Sequence, residues 1–462
     1  MRGLPILAVV AVLLLLPAGN GAAAEPQVTA PFGVAKLTVV GTGPTALGPG
    51  FWGVDVRPTY HVGMAEASEF NNTSLHYVRW PGGAVADGYN ISANRIYDDA
   101  GGSTSPPSNV SEFAHWCRSV SCKAIVQLPA EIDQPATAAY YVRYIETTVA
   151  FHPAYWEIGN EPARWTHLGL PWSQWNRSQS QNATPGTYAQ VVQGYASSIR
   201  AVDPKAAIIG LAGVGTGGYN EATWIDATVR LNGPNISAVA IHVYPAGGSN
   251  GTPGARGFLA TLDGHGSLAY RVPVDRSAIL SACPRCHPIA LFVTELGTGT
   301  QGGPYDALMG SFVGVPYLAA ELVQAMTAHV ANVDLFAFQS TYNGSLLTSS
   351  GGRSRVFTLY AELHSALGPL VENTSVSSNV TGLYAVATTT GLGSPSTLLF
   401  VNANSSRSVR FQLLGSGFPS VGSGSAWRWD PSSVQPVVTV WSLVPPVFWL
   451  LPARSILVLQ IV

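Results

Sequence analysis

The sequence predicts an α/β fold, a (β/α)8 barrel with a C-terminal β-sandwich that also takes in one or more N-terminal strands. Three observations carry this expectation. Eight short runs, nearly all apolar or β-branched, recur at 51–56, 75–80, 122–128, 155–159, 207–211, 238–243, 289–294 and 333–338. Helical patterns fall between several of them, at 136–151, 188–202, 222–231 and 313–330. Past residue 355 the texture changes to short alternating runs at 383–388, 396–401, 408–413, 426–429, 435–441 and 455–461, set apart by Gly, Ser, Asn and Pro. Strands apolar on both faces belong in a parallel sheet covered by helices. Eight such repeats over roughly 300 residues are enough chain for a closed barrel, and regular short strands with turn signals read as a sandwich. An open dinucleotide-binding sheet is the alternative, but no Gly-x-Gly-x-x-Gly follows the first run, and 210–218 lacks the Lys-Ser/Thr of a phosphate loop.

The chain divides accordingly into 1–24, 25–50, 51–355 and 356–462. The first segment has Met1-Arg2, an apolar run over 4–17 and small residues over 18–24, the pattern of a signal peptide. A retained anchor is the other reading, although the run is short of the ~20 residues that span a bilayer. Segment 25–50 holds a strand near 36–40 that is expected to join the sandwich and clamp the two chain ends; 51–355 is the barrel and 356–462 the sandwich. The apolar stretch 437–462 is broken by Pro445, Pro446, Pro452 and Arg454, so it reads as β-strands and no integral membrane span is expected after signal cleavage.

Charge is scarce. Only 10 % of the 462 residues are charged and the net charge is −2, against roughly 25 % charged in an average domain. No basic face exists to neutralise a phosphate backbone, so nucleic acid is excluded as a partner. Apolar residues at 47 % exclude general disorder. Gly, Pro, Ser, Thr, Asn, Trp and Tyr take the place of charge, as in an exported, sugar-handling protein. A weakly charged surface also limits self-repulsion when histidines and carboxylates take up protons, which suits an acidic habitat. Asn-x-Ser/Thr acceptors recur at Asn71, Asn72, Asn90, Asn109, Asn176, Asn182, Asn235, Asn343, Asn373, Asn379 and Asn404, as in a secreted glycoprotein. Cys117 with Cys122 and Cys283 with Cys286 are expected as two local disulfides of an oxidising compartment. The alternative is a four-cysteine zinc site, but zinc ribbons pair two CxxC knuckles and the first pair has four intervening residues. No metal or other cofactor is expected.

Chemistry concentrates at two strand ends. Tyr155-Trp156-Glu157-Ile158-Gly159-Asn160-Glu161-Pro162 closes the fourth run, and Phe292-Val293-Thr294-Glu295-Leu296-Gly297 closes the seventh. A carboxylate ending a buried strand is costly unless solvated, paired or used, and barrel enzymes place their chemistry at that face. Two further elements sit on the second and sixth runs, Tyr77-Val78-Arg79-Trp80-Pro81-Gly82-Gly83 and Ala240-Ile241-His242-Val243-Tyr244-Pro245.

These four elements, in order and in register over about 300 residues, resemble the retaining (β/α)8 glycoside hydrolases of clan A. The segment 297–305 and the opening Gly50-Phe51-Trp52-Gly53-Val54 are similar to the heparanase and β-glucuronidase family. The resemblance implies Glu161 as acid/base and Glu295 as nucleophile, acting on an oligo- or polysaccharide with β-glycosidic bonds. Retention then requires the two carboxyls ~5–5.5 Å apart. Arg79 is expected to keep Glu295 ionised, Tyr244 to donate a hydrogen bond to it, and Asn160 to meet the sugar 2-hydroxyl. His242 and Tyr305 are expected at the substrate, Asp87 and Tyr89 with Tyr305 at the rim of the subsite, and Trp165, with Trp172 and Trp175, as a stacking platform for a sugar. Bland readings stand beside these. Arg79 could simply be a buried counter-charge for Glu157 or Asp55, His242 a satisfied core histidine, and the tryptophans packing for a long loop. Glu131 and Asp133 read as solvated loop charges. β-Xylosidases and arabinofuranosidases share the layout and form the second enzymatic reading; a catalytically silent glycan-binding surface glycoprotein is the third.

Overall fold

The computed structural model describes residues 33–48, 50–73, 75–98, 102–131, 134–170, 182–214, 220–246, 254–297, 305–391, 397–414, 422–431, 437–443 and 448–461. The expected signal peptide over 1–24, Asp133, Trp172, Trp175 and most of 297–305 lie outside them.

All eight expected barrel strands form: Trp52–Asp55, Tyr77–Trp80, Lys123–Leu128, Tyr155–Ile158, Ile208–Ala212, Ala238–Val243, Ala290–Leu296 and Asn332–Leu335. They pair in chain order, and the eighth closes on the first through Val333 opposite Trp52 and Leu335 opposite Val54. Every residue of the first, fifth, sixth and eighth strands is buried, because the outer faces meet helices and the inner faces meet one another. This is why the runs lack polar alternation. Register sets the height of the functional side chains. Asp55 pairs with Arg79, Gln127 with Glu157, and His242 with Glu295, all near the C-terminal ends of the strands.

The second sheet has nine strands among the described residues. Its first, Gly33–Ala46, lies antiparallel to Leu370–Ser378 and parallel to Val409–Leu414, so both chain ends share one sheet as expected. Ala35, Leu37 and Val39 are buried while Val34 and Lys36 are exposed, the period-two pattern of a one-sided strand. The region 437–461 forms the strands Val437–Leu443, Phe448–Leu451 and Ser455–Ile461, and among the described residues no helix is long and apolar enough to cross a membrane.

Helix Gly314–Thr327 is buried from Gly314 to Met326, because one side packs on neighbouring helices and the other on sandwich strands Leu383–Thr389 and Thr397–Asn402. Helix Arg355–Ala366 packs against Met64–Thr73 and Gly314–Thr327 and completes the ring of barrel helices. The boundary expected at 355/356 falls at the start of this helix, and β-structure resumes at Leu370. Cys117–Cys122 and Cys283–Cys286 are both disulfide-bonded. The first ties helix Val110–Ser119 to the third strand, and the second closes the end of helix Leu268–Ala282. Seven of the ten described acceptor asparagines, Asn71, Asn72, Asn182, Asn235, Asn343, Asn373 and Asn379, are exposed, whereas Asn90, Asn109 and Asn404 are half-buried with side chains engaged in local turns or a helix cap.

Candidate active site

Arg79 is the hub. It is wholly buried and points into the barrel mouth, where its Nε donates to Glu157 Oε2 at 2.6 Å and its Nη1 to Asp55 Oδ1 at 3.0 Å and Glu295 Oε1 at 2.8 Å. Its Nη2 donates to Asn160 Oδ1 at 2.9 Å and lies 3.4 Å from His242 Nε2. The counter-charge reading and the functional one therefore coincide, since Arg79 serves both structural carboxylates and Glu295.

The His242 ring turns Nε2 toward this guanidinium and Nδ1 toward the two glutamates. That Nδ1 lies 3.1 Å from Glu161 Oε1 and 3.5 Å from Glu295 Oε2. The Tyr244 hydroxyl donates to Glu295 Oε2 at 2.5 Å. Burial acts to raise the Glu295 carboxyl, but His242, Arg79 and the Tyr244 hydroxyl outweigh it and hold Glu295 below its ordinary 4.5. Asp55 and Glu157 go the other way, pushed up by burial in spite of Arg79.

Glu161 sits just past the fourth strand with φ 41°, a left-handed conformation uncommon for a non-glycine residue. Its N–H donates to Ala212 O on the fifth strand at 3.0 Å. One oxygen of Glu161, one of Glu295 and His242 Nδ1 all lie within 4.8 Å of one another. Such an approach of single oxygens is compatible with the ~5–5.5 Å separation of a retaining carboxyl pair. Three such atoms could ligate a cation by number, but Arg79 already donates into the same cluster and supplies its positive charge.

Gly159 and Gly213, both at positive φ, make room for the site. A Cβ on Gly213 would collide with the His242 ring, and one on Gly159 with the Trp165 ring. Trp165 is buried at 3 % exposure. Its indole N–H donates to Asn160 O at 2.7 Å and Asp87 Oδ2 at 3.1 Å, and its ring meets Tyr188 edge-on. It holds the turn after the fourth strand and also lines a cleft beside Glu161. Tyr305 is buried and stacks on Phe258, with centroids 5.4 Å apart. Glu131 is also not a solvated charge. It is 6 % exposed and accepts the N–H groups of Thr166 and His167 at 2.8 and 2.7 Å.

Sequence reasoning named Asp87 at the rim of the site but missed two further side chains there, Phe336 and Arg164. Phe336, past the eighth strand, stands 6.4 Å ring to ring from Tyr244. Asp87 accepts the Asn160 N–H at 3.2 Å as well as the Trp165 indole. Arg164 places Nη1 2.7 Å from Glu161 Oε2; its i,i+3 spacing from Glu161 was the available signal. A cleft of about 600 Å³ opens beside Glu161, lined by Asp87, Tyr97, Glu131, Asn160, Arg164 and Thr166 among others.

No family model matches the chain, and no curated protein does. Solved structures do match its fold. An α-L-arabinofuranosidase from Thermotoga maritima superposes with a TM-score of 0.70 at 16 % identity, over 92 % of this chain and 99 % of that one. A family 51 arabinofuranosidase from Xanthomonas axonopodis pv. citri gives 0.73 at 14 %, over 93 % and 100 %. A family 44 xyloglucanase from Paenibacillus polymyxa gives 0.67 at 13 %, over 93 % and 100 %. At these identities the likeness establishes the fold: a (β/α)8 barrel carrying a β-sandwich, the architecture of these glycosidases.

Proposed function

We propose that the chain is an exported retaining glycoside hydrolase of the arabinofuranosidase type, acting on neutral glycosides. The observation that carries this is the approach of Glu161 and Glu295 within 4.8 Å at the barrel mouth, with Glu295 held by Arg79 and Tyr244. Glu295 attacks the anomeric carbon as an ionised carboxylate while Glu161 gives its proton to the departing glycosidic oxygen. Glu161 then takes a proton from the water that releases the sugar from Glu295. Asn160, with Oδ1 fixed by Arg79, offers its N–H2 to a sugar hydroxyl.

Two observations favour a neutral sugar over the uronic acid of a β-glucuronidase or heparanase. Among the described lining residues the cleft has one cation, Arg164, already paired with Glu161. Burial raises Asp87 and Glu131 above the ordinary carboxylate range, which suits hydrogen bonds with hydroxyls and gives a uronate no counter-charge. The arabinofuranosidase structures support the same choice. The two disulfides and exposed acceptors support export.

The test is a panel of aryl α-L-arabinofuranoside, β-D-xyloside, β-D-glucoside and β-D-glucuronide, with arabinoxylan and xyloglucan as polymers. Wild type, Glu161→Ala and Glu295→Ala are compared, and the first-formed anomer is read by NMR. Turnover of a neutral glycoside with retention, abolished in Glu295→Ala, is expected. Preference for the glucuronide would return the uronic reading, and inertness on the whole panel would favour a glycan-binding protein.

A further inference from the structure

Glu161 is gripped from two directions. His242 reaches Oε1 from inside the barrel at 3.1 Å, and Arg164 reaches Oε2 from the cleft at 2.7 Å. Arg164 owes its place to the turn Pro162–Arg164, in which its backbone N–H donates to Glu161 O at 2.9 Å, so the guanidinium folds back over the residue that starts the turn. We propose that Arg164 is a positioning residue for proton delivery, holding the Glu161 carboxyl at the oxygen of the leaving group. This rests on the retaining-hydrolase reading above.

The cleft gives the side on which this happens. It is lined by Glu161 and Arg164 but not by Glu295, so it lies on the leaving-group side of the bond to be broken. The pair has one solvent-facing partner and one buried one, since the Arg164 side chain is 47 % exposed and that of Glu161 5 %. Besides whatever it contributes to folding, the contact fixes the carboxyl. A glutamate side chain has ample rotamer freedom, and a misplacement of about 1 Å can cost on the order of 100-fold in rate. The charged and titratable groups facing Glu161 are Arg164, His242, Glu295, Asp87 and Tyr244. Of these, Arg164 alone cannot exchange a proton during the reaction. In the step itself the Glu161 proton moves to the glycosidic oxygen, which leaves with the C–O electron pair as a Glu295 oxygen bonds to the anomeric carbon. Arg164 then faces the carboxylate so produced.

A residue that positions the proton donor matters most when the leaving group needs the proton. The experiment compares kcat/KM of wild type, Arg164→Ala, Arg164→Lys and Glu161→Ala on dinitrophenyl and methyl α-L-arabinofuranosides, or the same pair built on the sugar that wild type prefers. Arg164→Ala should lose on the order of 10- to 100-fold on the methyl glycoside and less than about 3-fold on the dinitrophenyl one. Arg164→Lys should recover part of the loss, and the dependence on leaving group should persist whatever the change in unfolding temperature. Equal losses on both substrates, or none on either, would overturn the proposal. Absence of leaving-group dependence in Glu161→Ala would instead overturn the acid/base role of Glu161. Wild type inert on both would remove the hydrolase reading and this proposal with it.

Discussion

Three carboxylates surround Arg79, and one positive charge cannot keep all of them ionised in a site closed to water. Burial lifts Asp55 and Glu157 above their ordinary range, so these two hold protons most readily and leave the guanidinium to Glu295. Glu295 is distinguished by what else touches it, the Tyr244 hydroxyl and the His242 ring. The pH consequence has a definite sign. An ionised nucleophile is lost as pH falls through its pKa, and the Glu295 pKa lies below 4.5, so the acid limb of kcat/KM lies below pH 4.5. Tyr244→Phe removes one of the groups that favour the carboxylate. Its acid limb should move up in pH, and its kcat/KM at pH 5 should fall roughly 10- to 100-fold, the worth of a hydrogen bond to a charged group. A pH profile of the two proteins from 2.5 to 7 checks this; coincident acid limbs would refute it. At this scale the sequence was most informative where a strand ends on a polar residue. Arg79, Asn160, Glu161, His242, Tyr244 and Glu295 all converge, because strand register alone fixes their height. Glu131 was misjudged because its surroundings are loop backbone, whose N–H groups leave no trace in the pattern of side chains.

The elements of the barrel were legible because a doubly buried strand needs apolar residues throughout, and each of the eight runs met that need. Helix Arg355–Ala366 was harder to bound. Its buried Val356, Phe357, Leu359, Tyr360 and Leu363 repeat at helical spacing, but Gly and Ser turns precede it and β-texture follows closely. The excursion after the second strand was not legible at all. Its short strands Tyr89–Asn90, Arg95–Tyr97 and Ser103–Thr104 carry no long apolar signal, yet they bring Tyr97 to the cleft. Asp87, at the root of this excursion, couples it to the turn after the fourth strand through the Asn160 N–H and the Trp165 indole. Asp87→Ala removes the acceptor from a buried N–H, a change that costs about 1–3 kcal/mol. It should also free the turn that carries Glu161, so activity should fall further than stability alone explains. Urea unfolding together with kcat/KM would measure both; a loss of stability with unchanged kcat/KM would confine Asp87 to a structural part.

Across the whole molecule, scarce charge and the buried acids bias stability toward the same range of pH. Glu321 lies on the helix packed between barrel and sandwich, where burial, opposed by Arg271, lifts it to about 8 from an ordinary 4.5. Asp334, on the closing strand, is likewise lifted by burial to about 8 from 3.8. In both cases the folded chain keeps a proton that the unfolded chain releases from about pH 4 upward. The unfolded state therefore binds fewer protons between about pH 4.5 and 8, and stability falls as pH rises through that window. For Glu321 alone the loss approaches the order of 3–5 kcal/mol at pH 8. Glu295 acts in the opposite sense, since its depressed value contributes stability that is lost as pH falls below 4.5. Together they place the stability maximum in mildly acidic solution, where a surface with 10 % charged residues also accumulates little self-repulsion. Calorimetry from pH 3 to 9 should give an unfolding temperature that peaks near pH 4–5 and declines toward pH 8. In Glu321→Gln, which buries a neutral group of the same shape, that decline should be shallower and the protein at pH 8 more stable than wild type. A wild-type unfolding temperature that rises from pH 5 to 8, or a variant with an unaltered slope, would mean that Glu321 finds a partner for its charge and that the acid bias resides in the surface composition alone.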